Sequence, residues 1–77
     1  MRIDISEHAK NRMQEYDIAE KLVEDSIRKP DIIAEGYGGR KIYQKRINSY
    51  TLRAVVEENK EIRVITVYKA RSGRYGI

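Results

Sequence analysis

The residues that could do chemistry in this chain are mostly those that grip a phosphate or stack on a base. Arg46 and Arg53 carry planar guanidinium forks that match phosphate oxygens. Thr66 and Tyr68 supply hydroxyls, Tyr68 adds a ring for a base to stack on, and Gln44 offers an amide. His8 is the only histidine, and its ordinary pKa of about 6.5 suits proton transfer near neutral pH. Other chemistries lack their parts. The chain has no cysteine, and a lone histidine does not make a zinc site. Glu57, Glu58 and Glu61 read as a solvated hairpin tip rather than a metal cage. Gly36–Gly39 lacks the strand–loop–helix setting of a phosphate or dinucleotide loop. No Ser/His/Asp triad can be assembled. The expectation is a protein without metal or cofactor.

Charge points the same way. Residues 1–35 carry six Lys/Arg against nine Asp/Glu, for −3, whereas residues 36–77 carry ten against three, for +7. Such asymmetry suits a polyanionic or acidic partner at the basic end. It equally suits a solvated sheet whose lysines and arginines block edge-to-edge aggregation.

The elements that must position these residues are few. Seventy-seven residues allow one domain and one modest core. Without Phe or Trp, that core must come from Ile, Val, Leu and Tyr. Ser6 is placed to cap a helix running to about Tyr16, with Ala9, Met13 and Tyr16 as its apolar stripe. Asp17-Ile18-Ala19-Glu20 reads as a capping box with Asp17 as the cap. The second helix presents Ala19, Leu22, Val23, Ser26 and Ile27 on one face and ends before Pro30. Asp31–Glu35 reads as a brief extended segment. Strands follow at about Arg40–Ile47, Tyr50–Glu57 and Ile62–Lys69, with Asn48-Ser49 and Asn59-Lys60 as two-residue turns. The expected fold is α+β, with two N-terminal helices packed on one face of a curled antiparallel sheet of three to four strands. No apolar run approaches the ~20 residues of a membrane span, and the absence of cysteine fits a reducing compartment. A cytoplasmic protein with no membrane partner is therefore expected.

Centring the hairpins on those turns pairs Leu52 with Val67 and Ala54 with Ile65, and sets Val56 beside Arg63, on the face under the helices. The opposite, open face then aligns Arg46, Thr51 and Tyr68 in one row and Gln44, Arg53 and Thr66 in the next. That face offers what a nucleic-acid strand needs. It also fits a polar outer face made of residues that favour strands. The same register sends Lys41 and Lys45 to the helix side.

The order of Ser6-Glu7-His8-Ala9-Lys10-Asn11-Arg12-Met13, Asp17-Ile18, Lys29-Pro30-Asp31, Arg40-Lys41-Ile42-Tyr43, Leu52-Arg53-Ala54-Val55 and Val64-Ile65-Thr66-Val67-Tyr68 resembles small domains of the RelE/ParE-like toxin superfamily. That fold is also compared with barnase and tRNase colicins. The resemblance runs from about Ile5 to Tyr75. It implies a RelE/ParE-like domain, a cognate antitoxin, and metal-independent cleavage of RNA, often ribosome-bound mRNA. ParE-like relatives poison DNA gyrase without that chemistry. Such cleavage uses the 2′-hydroxyl of the RNA as nucleophile, so the protein must move protons and steady the phosphorane. His8, Arg53 and Tyr75 are the catalytic candidates. Arg12, Gln44, Lys45, Arg46, Thr66, Tyr68, Arg71 and Arg74 are the candidate substrate contacts. A non-catalytic module that binds nucleic acid or protein through the same face is the alternative.

Overall fold

A computed structural model of the chain describes residues 2–71. The elements are β1 (Ile3–Ile5), α1 (Glu7–Glu15), α2 (Glu20–Arg28), β2 (Ile32–Glu35), a 3-10 turn (Tyr37–Gly39), β3 (Lys41–Ile47), β4 (Tyr50–Glu58) and β5 (Ile62–Arg71). The α+β class and the two helices are as expected. The sheet is not. It has five strands in the order β1-β5-β4-β3-β2, and β1 runs parallel to β5, so the sheet is mixed rather than antiparallel. β1 is only three residues long, too short for alternation to betray it. Among the described residues no helix is long and apolar enough to cross a membrane.

Ser6 caps α1 as expected, its Oγ accepting from the Ala9 N–H at 3.1 Å. The same hydroxyl donates to the Ile65 carbonyl at 2.9 Å, and the Ser6 N–H donates to the Val64 carbonyl at 3.0 Å. One residue therefore starts the helix and ties it to β5. Ala9 and Met13 are buried, whereas Tyr16 lies outside the core.

Asp17 does not cap α2. Its φ is +55°, and it follows Tyr16, the C-cap of α1, in a Schellman motif. The Ile18 N–H reaches the Met13 carbonyl at 2.8 Å, and the Asp17 N–H reaches that of Gln14 at 3.3 Å. Ile18 and Met13 bury together, the contact that accompanies this motif. Asp is one of the few non-glycine types that tolerate this conformation. The residue at the start of α2 is Ala19, which makes no side-chain cap bond. Val23, Ser26 and Ile27 of α2 are buried. Its last turn is closed by Lys45, whose Nζ donates to the Lys29 carbonyl at 2.9 Å.

The first hairpin turn is as expected: Ile47 faces Tyr50, and Asn48 has φ +52°. The second is longer. Glu58 faces Ile62, leaving Asn59, Lys60 and Glu61 in the loop. A bulge then interrupts the β4–β5 ladder at Val55/Val56. Each irregularity slides β5 by one residue. Near the tip Val56 faces Val64 rather than Arg63, and beyond the bulge Leu52 faces Lys69 and Ala54 faces Val67. The core joins Leu52, Ala54, Val56, Ile62, Val64, Val67 and Tyr43 to the buried residues of the helices. At the far edge, Gly36 closes the β2–β3 hairpin, donating to the Arg40 carbonyl at 2.7 Å. A Cβ on Gly36 would stand 2.9 Å from that same oxygen, so no side chain fits there.

Ser6→Ala removes a helix cap and leaves the Ile65 carbonyl without its hydroxyl donor. It should lower stability by about 1–2 kcal/mol in a denaturant titration. Burial, together with the hydrogen bond to Glu58 and the charge of that carboxylate, pushes the Tyr43 hydroxyl from 10.0 up to about 12. The folded state therefore favours the protonated phenol. Its contribution is complete below the unfolded value near 10 and is lost as pH rises towards 12. Unfolding midpoints measured between those pH values should fall more for the wild type than for Tyr43→Phe.

Candidate nucleic-acid interface

The site is built by the strands on the side away from the helices. Because Ala54 and Leu52 face the helices, Arg53 and Thr51 between them face the other way. Their cross-strand partners share that face. One row runs Ile32, Gln44, Arg53, Tyr68 across β2, β3, β4 and β5. The row on one side of it holds Arg46, Thr51 and Ala70, and the row on the other holds Ala34, Ile42, Val55 and Thr66. The β3–β4 pairings are those expected from the sequence. Tyr68 and Thr66 keep the expected face but have each moved one row along it, because β5 is displaced by two residues.

The guanidinium carbon of Arg53 lies 5.4 Å from the Tyr68 ring centroid, within cation–π range. The face is less open at its middle than the sequence suggested. Arg53 is 8% exposed, Gln44 2% and Thr51 1%. Two of their polar atoms, Gln44 Oε1 and Thr51 Oγ1, are buried with no hydrogen-bond partner among the described residues. Such atoms are costly to keep in a fold. The accessible parts of the face are Arg46, which is exposed, and Tyr68 and Thr66, which are half-buried.

The other candidates do not join this cluster. His8 is exposed on α1, in the layer on the other side of the sheet. Arg12 shares that helix and pairs with Glu15 at 3.0 Å. Lys45 lies on the helix side and is engaged with α2. Arg71 faces Tyr50, which places it on the helix side too. Tyr75 and Arg74 lie outside the described residues. The cations of the basic half are thus divided between the two faces. Thr51 lies on the face where the register placed it, beside Arg46, but is buried rather than open, and the sequence did not single it out as a contact. The signal that singles it out is its buried, unsatisfied hydroxyl. No group of His, Cys, Asp and Glu able to hold a metal occurs among the described residues.

Thr51→Val keeps shape while removing the unsatisfied hydroxyl. It should raise stability by about 1 kcal/mol in a denaturant titration, because the wild type keeps that group at a cost to the fold. A loss of stability in this variant would show that the hydroxyl serves the fold.

Neither a curated protein nor a solved structure matches the chain. Residues 5–69, covering every element from the end of β1 nearly to the end of β5, match the family described as a domain of unknown function (DUF4258), and the chain belongs to that family.

Proposed function

We propose that the face opposite the helices binds single-stranded RNA, in a protein of the RelE/ParE toxin type. The observation that carries this reading is the Arg53–Tyr68 stack set among Gln44, Thr51, Thr66 and Arg46. Arg46 meets phosphate, Tyr68 presents an edge or face to a base, and Thr66 donates or accepts at the sugar. Arg53 is too enclosed to lead these contacts. It fixes the Tyr68 ring and makes the face electropositive from beneath.

The resemblance to RelE-like toxins adds two elements to this reading: a cognate antitoxin that covers the face in the cytoplasm, and cutting of the RNA by its own 2′-hydroxyl. In that chemistry Arg53 and Arg46 would stabilise the charge on the phosphorane. His8 stands on the other layer, so proton transfer would fall to a group elsewhere, with Tyr75 the remaining candidate.

Binding of a labelled single-stranded RNA should weaken steeply as salt rises, because phosphate contacts release counterions. Arg46→Ala should reduce the salt slope by about 1, and Tyr68→Ala should cost about 1–3 kcal/mol. Lys69→Ala removes an exposed cation from the helix side, where its Nζ lies 4.7 Å from the Tyr50 ring centroid, and should leave binding unchanged. Undetectable binding at low salt, or equal losses from Arg46→Ala and Lys69→Ala, would defeat the proposal. Products ending in a cyclic or 3′-phosphate identify cleavage, and intact RNA after prolonged incubation leaves a binding module.

A further inference from the structure

We propose that the free edge of β2 is a docking site for an acidic, extended segment of another protein, which pairs with it as a sixth, antiparallel or parallel strand. This edge borders the face assigned to RNA and shares Ile32 and Arg46 with it, but the inference does not rest on that assignment.

The exposed apolar side chains of the fold are concentrated here. Among the described residues, the large hydrophobics classed as exposed are Tyr16, Ile32, Ile33 and Tyr37, and the last three fall within one short stretch. Ile33 is 49% exposed and Tyr37 is 97% exposed. β2 is the last strand of the sheet, so one side of its backbone has no ladder partner among the described residues. The phase of that ladder follows from the bond between the Gly36 N–H and the Arg40 carbonyl. Counting back in twos, Ala34 and Ile32 direct their backbone groups at β3, whereas Ile33 and Glu35 direct theirs outward. Proteins usually blunt such an edge with a lysine, a proline or a bulge within the strand. Ile32-Ile33-Ala34-Glu35 contains no lysine and no proline.

Charge selects the occupant. Arg28 and Lys29 are exposed just before the strand, Arg40 is exposed just after its turn, and Lys45 and Arg46 flank it on β3. Asp31, Glu35 and Glu57 are the opposing carboxylates, and Glu57 pairs with Arg40 at 3.3 Å, so five cations stand against three anions. Asp31 already accepts from the Arg46 N–H at 2.7 Å, and Glu35 stands opposite Lys41. A second copy of the chain joined edge to edge would bring this basic rim against itself. An acidic strand meets it with opposite charge while its alternate apolar residues, all on one face, cover Ile33.

The test uses the full chain and a short fluorescein-labelled peptide alternating glutamate with valine, with a lysine–valine peptide as its counterpart. Ile33→Pro deletes the outward N–H and leaves the inward ladder to β3 whole, which is where an edge strand tolerates proline. Thermal unfolding checks that this variant keeps its fold, and Ile33→Lys provides a second variant with the backbone donor intact. The acidic peptide should bind the wild type by anisotropy, the lysine peptide should not, and both variants should weaken binding by about tenfold or more. Absence of binding, equal binding of the two peptides, or unchanged binding in folded Ile33→Pro would overturn the proposal. Concentration-dependent self-association that Ile33→Pro abolishes would overturn it too, by assigning the edge to a second copy.

Discussion

The architecture turns on the contact between Ser6 and the bulged stretch of β5. A sheet residue alternates faces with a period of two, and a bulge is the one local device that shifts the phase. Ile62 and Val64 point into the core, and so does Val67, three residues on. Without the extra residue, Thr66 and Tyr68 would point at the helices and Val67 at water. The carbonyls of Val64 and Ile65, at this irregularity, are both taken by Ser6. Because Ser6 is also the cap of α1, the phase of β5, the entry of the helix and the pairing of β1 are one interlocked arrangement. The Arg53–Tyr68 stack exists only in that phase.

Much of this could be read in the residues. Ser6 as a cap, Pro30 as a stop, Asn48 in a tight turn and the three long strands all follow from local chemistry. The pairing of β3 with β4 followed as well, since a two-residue turn dictates its register. The sequence reading failed where structure depends on distant partners. A short run such as Ile3-Asp4-Ile5 becomes a strand only because the edge of β5 waits for it, a contact no window along the chain contains. The loop at Asn59–Glu61 and the bulge at Val55/Val56 are each a single-residue departure, and their shifts add. Asp17 was misread because a left-handed residue after one helix and a cap before the next use the same residue types.

The candidate interface was legible in the same uneven way. Gln44, Arg46 and Arg53 share a face by alternation, and Thr66 and Tyr68 keep the expected one because the longer loop and the bulge together displace β5 by two residues, which restores the phase. Lys45 shows the limit of reading charge as function. Its ammonium donates to the carbonyl of Lys29, the C-cap of α2, where a cation also suits the negative end of the helix. His8 and Arg12 fit a motif in sequence and lie on the opposite layer in space. Burial separated the remaining residues: Thr51 and Gln44 carry polar atoms that the described fold leaves unsatisfied, a signal that composition does not contain.

The pairing of β1 with β5 also has a kinetic meaning. Ser6 and the residue holding its hydroxyl are 59 positions apart, and among the described residues β1 pairs with no other strand. Closing a loop of that length costs about 3–4 kcal/mol of chain entropy before any contact repays it. During synthesis, α1 emerges early but has nothing to lie against until β5 has followed it. The β3–β4–β5 meander, held by neighbouring hairpins, can assemble first and serve as the template on which the older segment docks. α1, made before β5, is thus completed after it, and its apolar stripe of Ala9 and Met13 must be kept from other chains in the interval.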